Sequence, residues 1–322
     1  MTRRCMNKVI AGPGCVSVTN APWWAAWSAK RADLCAVLWS AALLLLLLLP
    51  IMIGLSLLGQ YWPVVACSCV FFQVFGAVFR RWLPHGLAKD DADLREFSGR
   101  AASSVHALVA LCGAALALLS PSDIHRDHLF GVSHASSVVV AISCGYFLHD
   151  TIDCLMVFEK KNIPFLMHHV MGVILYGLAL APLLQYWGAM LLTWEASTPL
   201  MNARWAFIKL KLTQHPAFQY IQLCFAFTFI AVRNVAGIIM SYHIWVELLP
   251  WCLPSHASKT SLVQVQNPLY DSARPLHPVV PGLFLAFNVL FNLLNAMWGW
   301  QIVSKAVAIF ILPSKSKSQK DD

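Results

Sequence analysis

The stretch "LCAVLWSAALLLLLLLPIMIGLSLLG", residues 34–59, contains no charged residue. Roughly 20 apolar residues suffice to cross the hydrocarbon core of a bilayer as a helix. It is too long and starts too far into the chain for a cleaved signal peptide, so it reads as a retained anchor. The rest of the 322 residues agree: 58% are hydrophobic and 12% charged, against about 25% charged in a soluble domain. Further apolar segments at 61–82, 101–120, 133–158, 164–181, 184–208, 217–247 and 279–311 bring the expected total to about eight transmembrane helices. None shows the alternation of an outer-membrane strand. The fold class is an all-α polytopic membrane protein.

The formal charge of +8 is explained by where the charges lie. With the N-terminus in the cytosol and sides alternating, the cytosolic stretches collect Arg3, Arg4, Lys8, Lys30, Arg31, Arg80, Arg81, Lys89, Arg95, Arg100, Lys160, Lys161, Lys209, Lys211, Lys305, Lys315, Lys317 and Lys320. The opposite side holds Arg126, Lys259 and Arg274. This is the positive-inside pattern with both termini cytosolic. It removes the argument for a nucleic-acid partner. The expected organisation is a cytosolic or interfacial segment 1–33 with Trp23, Trp24 and Trp27, two preceding helices in 34–83, a main domain 84–312, and a polar tail 313–322. "GQYWP" (59–63) reads as a tight turn, 83–100 as the main charged loop, and 249–278 as a proline-containing loop on the other side. The ten cysteines lie mostly inside apolar runs and form no CxxC pair.

Ionisable groups inside membrane helices are costly and face a bundle interior or a wet cavity. Several share helical faces. Ser143, Tyr146, Asp150 and Asp153 form one stripe, with His149 beside it, and Glu195, Thr198, Asn202 and Trp205 form another. Asn288, Asn292 and Asn295 align on the last helix, and Arg233 and Asn234 interrupt the seventh. Gly99, Ser103, His106 and Gly113 lie on a largely small-residue face of the third, and Arg204 lies in the sixth. The bland alternative is that asparagine and serine stripes bind helices together, and that Asp150 or Asp153 pairs structurally with Arg233 or Arg204.

The adjacent histidines in "FLMHHVMGVILYGLALA" (165–181) point about 100° apart, so one can face the interior while the other packs elsewhere. Neighbouring histidines chelate one ion poorly compared with an i, i+4 pair, so no metal site is expected. There is no GxSxG, P-loop or GxGxxG motif. That leaves acid–base or acyl-carrying chemistry at a histidine oriented by a carboxylate, with no bound cofactor.

Together, "SSVHA" (103–107), "GYFLHD" (145–150), "HH" (168–169), "EASTPLMNARW" (195–205) and "NLLNAMW" (292–298) resemble, in order, the TLC-domain membrane proteins. That family includes the ceramide synthases, the translocating-chain-associated membrane protein and several small TLC-domain-containing proteins. The pattern at 195–205 is most similar to the last group. The similarity covers roughly residues 95–310. It implies a six-helix arrangement around a cavity for a lipid chain. It also implies chemistry: ceramide synthases use paired histidines, matching His168 and His169, to move an acyl chain from acyl-coenzyme A to a sphingoid amine. They carry a D-x-x-D pair on the following helix, where this chain has Glu195 and Thr198.

Two readings stay open. In the first, an acyltransferase uses His168, His169, Glu195 and Asp150 catalytically. Ser104, His106, Tyr146, Asp153, Thr198, Asn202, Arg204, Arg233, Asn292 and Asn295 then hold membrane lipid or long-chain acyl-coenzyme A. In the second, the same cavity grips a lipid without turnover, as a binder or regulator of phospholipid composition. The process in both is membrane lipid homeostasis, the expected compartment is the endoplasmic reticulum, and a homodimer is compatible with either.

Overall fold

The computed structural model describes residues 56–84, 86–156, 158, 162–180, 183–252 and 279–310. The span expected through residue 55, the segment 1–33, residues 253–278 and the tail 313–322 lie outside the described residues. In chain order the helices are α1 (Ser56–Trp82), α2 (Asp91–Leu119), α3 (His134–Met156), α4 (Ile163–Ala179), α5 (Gln185–Leu192), α6 (Thr198–Lys209), α7 (Pro216–Phe229), α8 (Ala236–Leu248) and α9 (Val279–Phe310). Among the described residues there is no strand. Five helical stretches are long and apolar enough to cross a membrane: Gln60–Trp82, α2, α3, Pro216–Cys252 and Val279–Val307. α4 is apolar but shorter.

The distribution of side chains is that of a bilayer protein. Val70, Phe71, Leu108, Leu116, Phe227, Ile238 and Leu293 face outward, whereas Ser136, Ser137, Ser143, His149 and Gln185 are turned inward and buried. α3 is the central helix. Its apolar window is 67% buried, against 28–33% for the other spans. Glycines bring its neighbours close, as small residues do at membrane helix interfaces. A Cβ on Gly145 would strike the backbone carbonyl of Val65 on α1, and one on Gly172 of α4 would lie 2.7 Å from the Phe147 ring.

Four features differ from the sequence expectation. Residues 59–63 are helical within α1 rather than a turn. Pro63 is tolerated there because neighbouring helices hold the segment: Tyr61 is buried and hydrogen-bonds His134 across 3.0 Å. The charged loop shortens because α2 begins at Asp91. Asp90 caps it by accepting from the Asp93 N–H at 2.8 Å, and Asp91 and Asp93 favour the positive helix end.

The span read as 184–208 breaks into α5, a 3-10 turn at Thr193–Ser197, and α6. Pro199 explains the break, because its ring cannot coexist with an α-helical carbonyl four residues earlier, at Glu195. The seventh span is interrupted by a π-turn at Ile230–Val235, which inserts extra backbone between α7 and α8. That turn lets two consecutive polar residues face protein: Arg233 reaches the 3-10 turn, and Asn234 Nδ2 donates to the Asn295 carbonyl on α9 at 3.2 Å.

Candidate functional site

A cavity of about 270 Å³ opens beside α3, bounded by α4, the 3-10 turn, α6, α7 and α9. Its walls are largely apolar, with Phe147, Phe165, Met201, Phe225 and Trp298 among them. Polar groups line it as well: Tyr146, Asp150, His168, His169, Glu195, Thr198 and Arg233. A second cavity of about 60 Å³ lies against the first. Phe147, His168, Glu195 and Arg233 line both and form the partition between them.

The two histidines have different surroundings. His169 is held by α3 at both ring nitrogens. Nε2 is 3.4 Å from Asp150 Oδ2, and Nδ1 is 3.5 Å from Cys154 Sγ. Asp150 and Cys154 are four residues apart on one helix, which puts them on the same face. His168 is surrounded by aromatic edges, with ring centroids 5.7 Å from Phe147, 5.3 Å from Phe291 and 6.1 Å from Trp298. Its buried Nδ1 has no hydrogen-bond partner. His169 is therefore fixed in place, whereas the enclosed Nδ1 of His168 leaves its hydrogen-bonding capacity unspent.

Glu195 and Arg233 meet where the two irregular turns touch. Arg233 Nη2 is 3.7 Å from Glu195 Oε1, with side chains only 8% and 12% exposed. The guanidinium also donates from Nε to the Trp194 carbonyl at 3.2 Å and to Ser197 Oγ at 3.1 Å, and from Nη2 to Thr198 Oγ1 at 3.4 Å. A buried ion pair needs such added hydrogen bonds to offset its desolvation.

This arrangement of histidines, Glu195 and the "STP" turn occurs within the region that matches a family model. The model describes the TLC domain and matches residues 96–304, well over half of the chain. The chain belongs to the TLC domain family. An uncharacterised TLC domain-containing protein of Schizosaccharomyces pombe is 28% identical over 211 residues, covering 62% of this chain and 72% of the relative. TLC domain-containing protein 4-B of Danio rerio is 29% identical over 266 residues, 80% of this chain and 93% of that protein. Topoisomerase I damage affected protein 4 of Saccharomyces cerevisiae is 24% identical over 208 residues, 63% of this chain and 66% of that one.

Within this TLC domain, His168, His169, Asp150, Tyr146, Glu195, Thr198, Arg204 and Arg233 all line the main cavity. Other expected site residues are placed elsewhere. Ser103, rather than Ser104, lines the cavity. Ser104 instead accepts from Asn202 Nδ2 at 3.0 Å, and Asn202 is bonded to Arg100, so this pair joins α2 to α6. His106 is fully buried, stacked on Tyr146 at 3.8 Å and 3.2 Å from Ser143 Oγ. Asp153 lies 4.0 Å from His149 Nε2 at the partly exposed end of α3. Asn292 donates to Ser241 Oγ at 2.8 Å and so binds α9 to its neighbour, whereas Asn295 bonds Asn234 only through its backbone carbonyl and its buried side-chain Nδ2 has no partner. Glu195, expected to orient a histidine, pairs with Arg233, and Asp150 holds His169 instead. The sequence reading missed Cys154 and the mouth residues Gln222 and Gln301. Gln222 is legible as a polar interruption of an apolar helix, whereas nothing in the sequence distinguishes the cavity aromatics from lipid-facing ones.

Proposed function

We propose that this TLC-domain protein acts in membrane lipid homeostasis by transferring an acyl chain inside the bilayer, with His168 as the reacting imidazole. The observation that carries this reading is the division between the two histidines. One is clamped by Asp150, and the other has a buried, unpartnered nitrogen at the wall of a largely apolar cavity. In this reading long-chain acyl-coenzyme A enters from the cytosolic side. His168 takes the proton of an amine or hydroxyl acceptor as that group attacks the thioester carbonyl. The tetrahedral intermediate collapses, the carbon–sulfur bond breaks, and the departing thiolate takes the proton from His168. The domain assigned to this work is 84–312, with both termini in the cytosol and the endoplasmic reticulum as the compartment.

A general base contributes about 10²–10⁴-fold to rate. Purified protein in nanodiscs, given long-chain acyl-coenzyme A and a panel of amine and hydroxyl lipids, is therefore expected to form an acylated product seen by mass spectrometry. His168→Ala should reduce it by at least about a hundredfold. If protein with both histidines intact acylates no acceptor, the reading is wrong.

The engagement of Glu195 by Arg233 favours a second reading, a lipid binder without turnover, because it leaves His168 without a nearby free carboxylate. Lipidomics of cells carrying His168→Ala or Glu195→Ala at normal expression separates the two. Loss of one acylated product supports transfer, and a broad shift in phospholipid chains insensitive to both changes supports the binder.

A further inference from the structure

Some cations of the described bundle are matched by carboxylates. Lys209 reaches Asp93 and Glu96, Arg100 reaches Glu96, and Arg233 reaches Glu195. Two cations at the cavity mouth break this pattern. Arg204 on α6 and Lys305 on α9 both line the cavity. Among the described residues neither is paired with a carboxylate. Arg204 spends Nε on the neutral amide of Gln222 at 3.4 Å, which leaves the rest of its planar fork of donors for a ligand. Lys305 is exposed at the rim.

We infer that the mouth of this cavity is a phosphate-binding site formed by Arg204 and Lys305. Resting on the reading that the cavity handles a lipid, this names the head group of its ligand. Two cations lining one cavity suit a group with several anionic oxygens better than a single carboxylate, and the arginine fork matches phosphate geometry.

Lys305 is seven residues from Trp298, whose ring contacts His168, and at 1.5 Å per residue this places it about 10 Å above the histidine. Arg204 is six residues from Thr198, or about 9 Å. Between these levels the walls are apolar, with Met201, Phe165 and Ile302. The ligand is thus an amphiphile with phosphate at the rim and its remainder directed at His168. Leu223 lines the cavity yet is 49% exposed, so the space also communicates with the lipid-facing side of α7. The phosphate can then belong to coenzyme A arriving from water or to a phospholipid arriving sideways.

The test uses full-length protein in nanodiscs of zwitterionic lipid with two probes, coenzyme A by calorimetry and phosphatidic acid by native mass spectrometry. Wild-type protein is expected to bind at least one. Arg204→Gln and Lys305→Gln should each weaken it about tenfold or more, and the effect of Lys305→Gln should shrink as salt screens the exposed charge. Among the described residues Lys305 has no structural partner to lose, so its variant keeps the test valid if Arg204→Gln misfolds. Lys211→Gln, outside the cavity, should change nothing. Selective binding of coenzyme A assigns the phosphate to the acyl donor, and selective binding of phosphatidic acid assigns it to a lipid. Binding of neither probe, or wild-type affinity in Lys305→Gln at low salt, overturns the inference. Acyl transfer that persists without phosphate binding refutes this site alone, while phosphate binding without transfer refutes only the catalytic reading.

Discussion

Replacing Arg233 by methionine should be among the most damaging single changes in the described bundle. The substitution strands the Glu195 carboxylate, 12% exposed, and removes the donors that serve the Trp194 carbonyl, Ser197 and Thr198. Removing one partner of a buried ion pair costs about 3–5 kcal/mol. Because the pair lines two cavities instead of being packed on all sides, the expected cost is at the lower end, about 3 kcal/mol. Glu195→Gln should cost less, about 1.5–2 kcal/mol, since Arg233 keeps its three other acceptors. The double variant no longer strands a charge, so it should be more stable than the sum of the singles predicts, by about 1–3 kcal/mol. Unfolding by sodium dodecyl sulfate in mixed micelles measures all four proteins on one scale. If the two single effects add to within about 0.5 kcal/mol, the groups do not interact and the proposed geometry of the partition is wrong.

Two further outcomes follow from packing and from the asparagine ladder. Gly172→Ala places a methyl against the movable ring of Phe147, whereas Gly145→Ala places one against the fixed carbonyl of Val65. Both should destabilise by about 1–3 kcal/mol, with Gly145→Ala the worse, in the same unfolding titration. Ser241→Ala deletes the oxygen that accepts from Asn288 at 3.0 Å and Asn292 at 2.8 Å. It should cost about 0.6–1.7 kcal/mol, the range for interhelical hydrogen bonds in membranes, and leave phosphate-ligand binding unchanged in the nanodisc assay.

The class of fold was legible because membrane helices are written as long uncharged runs, and α2, α3 and α9 fall where such runs occur. The polar stripe of Tyr146 and Asp150 was also legible, since helical spacing alone puts these residues on one face. Asn288 and Asn292 share that kind of spacing, yet they bond to Ser241 on the neighbouring helix. Periodicity reports which residues face protein, and it is silent on whether they meet a cavity or another helix. Glu195 illustrates a different limit. An ideal helix would have carried it round with Thr198 and Asn202, but Pro199 tightens the backbone ahead of it, and the carboxylate turns to Arg233 instead of a histidine. The partner residue is equally hidden, because the π-turn that aims Arg233 inward leaves no signature in hydropathy.

These two breaks in helical regularity bear on whether the cavity is a site or a packing defect. Irregular backbone at membrane depth is tolerated only where protein or a water-filled cavity satisfies it. Here a 3-10 turn and a π-turn, on different spans, are joined by the guanidinium of one residue, which bonds a carbonyl, two hydroxyls and a carboxylate of the other turn. A bundle that needed only to pack would have run both helices straight and placed an apolar residue at each position, at no desolvation cost. Instead, the irregular backbone and the buried charges coincide at the wall shared by both cavities, to which His168 also contributes. π-turns inside α-helices occur frequently at functional sites, and this one fixes the only wall of the main cavity that also separates it from a second chamber among the described residues. The pair of turns therefore supports a polar wall built to face a ligand, with His168 as its member whose hydrogen-bonding capacity is unspent.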